Sequence, residues 1–172
     1  MAEGCVGGAI LGLGAETRRR EDGCVNADLD LVRRLAGADH GLAVVATTRR
    51  DGTVHCSVVN AGVLQDPISD LPVVGFVAAG SALKLSLLRR SGRATVVWRA
   101  GWEWVAVEGP VRLLGPNDTA HEFAMDRLPR LLRDVFTAAG GTHEDWNEFD
   151  RVMAAERRTA VFVEPARLTS NA

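Results

Sequence analysis

The hydrophobic and polar positions of this chain fall mostly into short alternating runs, punctuated by glycine-rich turns and by a few stretches of helical spacing. Leu29, Val32 and Leu35-Ala36 recur every three to four residues and predict a short helix over Leu29–Ala36, capped by Asn26 or Asp28 and stopped at Gly37 or Gly41. The runs Gly41–Arg49 and Thr53–Ala61 are rich in valine and threonine. Between them, Arg49-Arg50-Asp51-Gly52 carries the Asp-Gly pair favoured in tight turns, so together they predict a β-hairpin. Side chains alternate along a strand, so Thr53, His55, Ser57 and Val59 share one face and Val54, Cys56, Val58 and Asn60 the other. Neither face is purely apolar.

Leu71–Ala79 reads as a buried strand, after which Gly80-Ser81 offers the N-cap of a helix running through Arg90 to Ser91-Gly92. Arg93–Arg99 predicts another strand, Gly101 a turn, and Trp102–Leu114 a long strand with Trp102, Trp104, Ala106 and Glu108 on one side. Gly115-Pro116-Asn117-Asp118 reads as a turn and helix cap, and Pro129 should split or kink the helical pattern that follows. Beyond Gly140-Gly141, Thr142-His143-Glu144-Asp145 resembles a capped helix start, with Trp146, Phe149, Val152 and Met153 as an apolar stripe to about Arg157. Thr159–Val163 is the last predicted strand. The expected architecture is a small antiparallel barrel with peripheral helices, one α+β domain over residues 26–172. Residues 1–25 are expected to be a disordered tail or a misassigned start: Gly4–Ala15 is as apolar as a signal-peptide core, but Glu3 precedes it where positive charge belongs.

Composition narrows the function. With 172 residues, 47% apolar, 24% charged and a net charge of −2, the chain is long enough for one real core and lacks the basic excess of a nucleic-acid binder. No apolar run approaches the length of a membrane-spanning helix. Cys5, Cys24 and Cys56 form neither a disulfide scaffold nor a zinc pattern, which fits a reducing cytoplasm. Of the twenty basic residues Lys84 is the one lysine, and tyrosine is absent, which removes Walker-type phosphate loops and tyrosine-dependent reductases. Gly12-Leu13-Gly14 lacks the rest of a dinucleotide fingerprint, His121-Glu122 and His143-Glu144 lack the second histidine of a zinc protease, and no serine sits in a nucleophile elbow.

The segment Val77-Ala78-Ala79-Gly80-Ser81-Ala82-Leu83-Lys84 carries more. There a strand ends in small residues and a helix begins with a lysine in its first turn, an arrangement that can seat a phosphate; the competing reading is a plain helix start whose lysine faces water. His55, Ser57 and Asn60 could line a groove or be hydrated edge-strand groups, Trp102 and Trp104 could wall a planar ring or serve as core or dimer contacts, and Trp146 belongs to core or interface.

Taken in order, the Asp-Gly hairpin, His55-Cys56-Ser57-Val58-Val59-Asn60, Lys84-Leu85-Ser86-Leu87-Leu88-Arg89-Arg90 and Gly101-Trp102-Glu103-Trp104-Val105-Ala106-Val107-Glu108-Gly109 resemble the pyridoxamine 5′-phosphate oxidase-like split β-barrel proteins. The likeness is nearest to the actinobacterial deazaflavin (coenzyme F420)-dependent branch and runs from about residue 28 to 170. It implies an FMN-binding-type split β-barrel and a homodimer with cofactor sites at the interface. Lys84 would hold the cofactor phosphate beside Ala78, Ala79, Gly80 and Ser81, with His55, Ser57, Val58 and Asn60 along the ring and ribityl chain. Trp102 or Trp104 would face the ring from the other subunit or flank the substrate cleft. Leu87 stands where the family often has asparagine, and Leu85 where a polar residue is common. The implied chemistry is hydride transfer from the reduced deazaflavin to an unsaturated or conjugated small molecule. The alternatives are an FMN-dependent oxidoreductase of the same fold, a non-catalytic cofactor- or haem-binding carrier, and a dimerising module without ligand.

Overall fold

The computed structural model describes residues 29–171, so the expected tail over 1–25 lies outside the described residues. Residues 29–38 form helix α1, and a β-hairpin follows of β1 (Leu42–Thr48) and β2 (Val54–Gln65). Next come β3 (Pro72–Ala78), α2 (Leu83–Ser91), β4 (Arg93–Ala100) and β5 (Glu103–Leu114). A 3₁₀ turn at Met125–Arg127 leads into α3 (Leu128–Ala138) and α4 (Trp146–Ala155), and β6 (Thr159–Val163) and β7 (Arg167–Ser170) end the chain. The strands run in the order β4-β1-β2-β3-β6-β5-β7, and β4 also pairs with β5, so six strands close into an antiparallel barrel with β7 added on β5. This is the FMN-binding type of split β-barrel, an α+β fold.

Alternation along each strand sorts the side chains into two cores. Ala43 and Val45 of β1, Val59 and Ala61 of β2, Val74 and Phe76 of β3, Val96 and Trp98 of β4 and Val105 and Val107 of β5 fill the barrel. Leu29, Val32 and Leu35 of α1 and Leu85 and Leu88 of α2 join that core. Val73, Ala160 and Phe162 point the other way and pack with Leu128, Leu131, Leu132 and Val135 of α3 and Phe149 of α4. Burial of each large side chain contributes roughly 1.5–3 kcal/mol, so both helical layers hold the barrel. Leu85 and Leu87, which break the resembled pattern, are both buried; they anchor α2.

Several local expectations change. Pro129 sits in the first turn of α3, where its missing N–H costs nothing, so it starts the helix instead of kinking it. The N-cap of α2 is Ala82, not Ser81, and no side chain caps it. β2 runs on to Gln65, and β7 carries no apolar pattern that would have announced it. Asp118 closes a short turn with Gly115 and accepts from Arg89 of α2 instead of capping a helix.

The barrel is split at one place. β2 pairs with β1 from Val54 to Asn60, and its pairing with β3 starts only at Ala61↔Phe76. Continuing that register would set Ser57 opposite Gly80, but β3 ends at Ala78. Beyond Phe76 it pairs on its other side with β6, Ala78 meeting Thr159. The edge of β2 over residues 54–60 and the β3–α2 junction therefore flank one opening.

Candidate functional site

Residues 79–82 turn the chain from β3 into α2 through a tightly packed corner. Ala82 N–H donates to the Ala79 carbonyl at 2.9 Å and Gly80 N–H to the Glu156 carbonyl at 3.0 Å. A methyl group on Gly80 would lie 2.6 Å from the Arg157 carbonyl oxygen and 2.9 Å from the Arg157 Cβ, so only glycine lets the α4–β6 turn seat here. That turn is locked from its other side by Arg157, which donates to Asn117 Oδ1 at 2.5 Å. Arg157 itself has φ 50°, the left-handed conformation usually given to glycine after a helix. Three segments distant in sequence thus converge at the start of α2.

The first turn of α2 holds no acidic residue and no capping side chain, leaving its leading N–H groups to other acceptors. Lys84 stands in that turn, half-buried, and among the described residues it makes no hydrogen bond or ion pair. Burial, and secondarily the positive charge of Arg158, hold its ammonium below the usual lysine pKa. The arginines nearby are differently placed. Arg89 forks onto Asp118 at 2.7 Å through both Nε and Nη2, Arg90 donates to the Thr48 carbonyl, and Arg49 donates to the Val54 carbonyl and contacts His55 Nδ1 at 3.2 Å. An uncompensated, partly desolvated cation at an uncapped helix start is a seat for an anion.

The sequence-predicted residues divide into three places. Ala78, Ala79, Gly80, Ser81 and Lys84 form the corner just described. On β2, His55 and Ser57 face inward with Val59, while Val58 and Asn60 face outward; Val58 is exposed, and Asn60 donates to the His40 carbonyl at 2.8 Å. Ser57 Oγ is buried without a partner. A ligand running along β2 would therefore meet the strand's edge and main chain, since its side chains alternate. Trp102 and Trp104 lie at the β4–β5 turn, the opposite end of β4 from α2. Trp102 is 93% exposed, yet the turn carrying it is braced: Arg34 forks onto Glu103, and Asn171 donates to the Trp102 carbonyl and accepts from Trp104 N–H. Arg158, Glu156 and Asn117 escaped the sequence reading; only the register of β6 on β3 brings them here.

Among the described residues, no group of three or more His, Cys, Asp or Glu side chains could hold a metal ion. Cavities of about 320, 380 and 390 Å³ open beside Arg112, beside Arg127 and beside His40. None of the three is lined by the β3–α2 corner, whose residues 79–82 are partly or fully exposed. No helix of the described residues is long and apolar enough to cross a membrane.

Fold and corner together define a split barrel with a half-buried lysine at an uncapped helix start beside its opening. Among solved structures, the chain is similar to a conserved hypothetical protein from Mycobacterium tuberculosis, at 17% identity and TM-score 0.56 over 80% of this chain and 81% of that one. It is similar to a pyridoxamine 5′-phosphate oxidase-related, FMN-binding protein from Nostoc punctiforme, at 12% identity and TM-score 0.56 over 93% and 86%. An F420 reductase matches at 13% identity and TM-score 0.51 over 77% and 91%. At these identities the likeness is one of fold. No family model and no curated protein sequence matches the chain.

Proposed function

We propose that this protein is a deazaflavin (F420H2)-dependent reductase acting as a homodimer on an unsaturated or conjugated small molecule in the cytoplasm. The observation that carries the reading is Lys84: a half-buried ammonium with no carboxylate partner among the described residues, at a helix start with no cap. A buried cation without a counter-ion is costly, and binding a phosphate would remove that cost. The main-chain donors such a group would meet are the first N–H groups of α2, which no side chain caps.

When bound, the deazaflavin supplies the hydride donor. The chain supplies position and a dry surface. Lys84 and the first N–H groups of α2 would hold the phosphate, and the main chain of β2 between Val54 and Asn60 would offer donors and acceptors to the ring. The corner is partly exposed, and a second protomer presenting the braced, exposed Trp102 would cover it. FMN is the second reading, on the strength of the fold shared with the Nostoc protein. It is less favoured because β2 carries no arginine, and Arg49 at the hairpin is already engaged.

Titrating the purified protein with the deazaflavin and with FMN, followed by tryptophan quenching, tests the reading. We expect tight deazaflavin and weak FMN binding, with Lys84→Ala weakening the deazaflavin by about 1.5 kcal/mol, the lower end for a charged hydrogen bond because Lys84 is partly exposed. Reversed preference would move the chain to the flavin reading. Binding of neither would leave a carrier of another ligand or a dimerising module.

A further inference from the structure

The corner that presents Lys84 holds a second cation that the cofactor reading does not use. Arg158 follows the α4–β6 turn and immediately precedes Thr159, which pairs with Ala78, so it lies beside the end of β3 where residues 79 and 80 begin the turn into α2. Three contacts fix it there. Gly80 N–H donates to the Glu156 carbonyl at 3.0 Å, Arg158 N–H to the Met153 carbonyl at 2.9 Å, and Arg157 to Asn117 at 2.5 Å. The left-handed Arg157 would be easier as glycine, but its side chain ties the turn to residue 117 and its Cβ packs against Gly80. The turn is over-determined, and what it positions is Arg158.

Arg158 is partly buried, and its guanidinium is only partly satisfied. Nε and Nη2 both donate to one oxygen of Glu156, Oε2, at 2.6 and 2.5 Å, and Nη1 has no partner among the described residues. This is not the forked, two-oxygen geometry that Arg89 makes with Asp118. Glu156 is half-exposed and two residues away, so the pair is local and weakly held. The Arg158 charge is also felt at Lys84.

We infer that Arg158 is the second cation of the anion seat at Lys84, and that Glu156 is its resident competitor, which gives up the guanidinium when a phosphate occupies the seat. The inference rests on the cofactor reading and deepens it by adding a binding residue and a counter-charge that sets the affinity. Opposite signs follow for the two partners. Loss of Arg158 weakens a phosphate-bearing ligand, whereas neutralising Glu156 strengthens it by freeing the arginine.

The test compares each ring system with and without its phosphate: FMN against riboflavin, and the deazaflavin against its ribityl form, which lacks the phosphate and the acidic tail beyond it. The ratio of the two dissociation constants isolates the seat from the ring contacts. Arg158→Gln should lower that ratio about tenfold, Arg158→Lys should restore part of it, and Glu156→Gln should raise it about threefold. A gain on Glu156→Gln cannot come from misfolding. If both variants leave the ratio within twofold of the parent while Lys84→Ala collapses it, Arg158 is only a structural ion pair and the inference fails with the seat intact. If the parent protein shows no phosphate preference in either pair, the cofactor reading fails, and this inference with it.

Discussion

Lys84 differs from the arginines around it in what it lacks. Arg89 and Arg158 each reach a carboxylate, Arg157 an amide oxygen and Arg90 a main-chain carbonyl, whereas the Lys84 ammonium has no partner among the described residues. Its pKa is lowered by burial first and by Arg158 second, so the folded state disfavours the charged form relative to the unfolded chain. For a basic group with a depressed folded pKa, the penalty is fully present at low and neutral pH. It fades as pH rises through the folded value toward the unfolded one. Lys84→Met should therefore raise the melting temperature of the ligand-free protein at pH 7 by about 1–3 °C, with the gap to the parent closing as pH approaches 10. The same variant should bind phosphate-bearing ligands poorly, the trade of stability for function expected at a binding site. Calorimetry across pH checks this, and a variant less stable than its parent at pH 7 would mean that Lys84 already has an anionic partner.

At the scale of elements, α4 shows how local chemistry sets an end. Asp145 accepts from the N–H groups of Asn147 and Glu148 at 2.8 and 3.0 Å, and these bonds hold its carboxyl below the usual range. Its contribution is present above the unfolded carboxylate pKa and is lost as pH falls through the lowered folded value. Asp145→Ala should destabilise the protein at pH 7 and progressively less in acid, read by urea melts at several pH values. A constant cost down to low pH would remove the capping carboxylate as its source. Because α4 delivers the turn of Glu156–Arg158, loosening this cap loosens one wall of the corner. Caps and turns of this kind were legible in the sequence: the Asp-Gly hairpin and the Asp145 start of α4 fold as their patterns dictate, and of the stripe after it Phe149 is buried and Trp146 and Met153 pack partly against the core, while Val152 is exposed. What was not legible depends on contacts distant in sequence. The register of β6 on β3 that brings in Arg158, and the pairing of β7 on β5 through a strand with no apolar pattern, have no local signature. Ser81 looked like a cap, but the main-chain bond from Ala82 to Ala79 moves the helix start one residue on.

For the whole molecule, the outer surface of β4-β1-β2 poses the remaining question. Leu42 and Val44 are 41% exposed, Val54 is 59% and Val58 63% exposed, and the register sets Val44 between Val58 and Val97. These side chains stand on the outward face with Cys56, so strand alternation has put an apolar row where solvent would be expected. In the proposed homodimer a second copy of the chain would cover this row, together with the corner beside Lys84, and bring Trp102 to the ring. If folding and association are coupled through this face, the melting temperature should fall by about 2–4 °C for each tenfold dilution. Val44→Asp, which puts a charge at the centre of the row on β1 without touching either core, should then yield monomer in light scattering. That monomer should bind the deazaflavin poorly even though Lys84, Arg158 and the corner are unchanged. A Val44→Asp protein that is monomeric yet binds normally would place the whole site within one chain. A parent protein that is itself monomeric at every concentration would leave the apolar row to another partner and the corner to solvent.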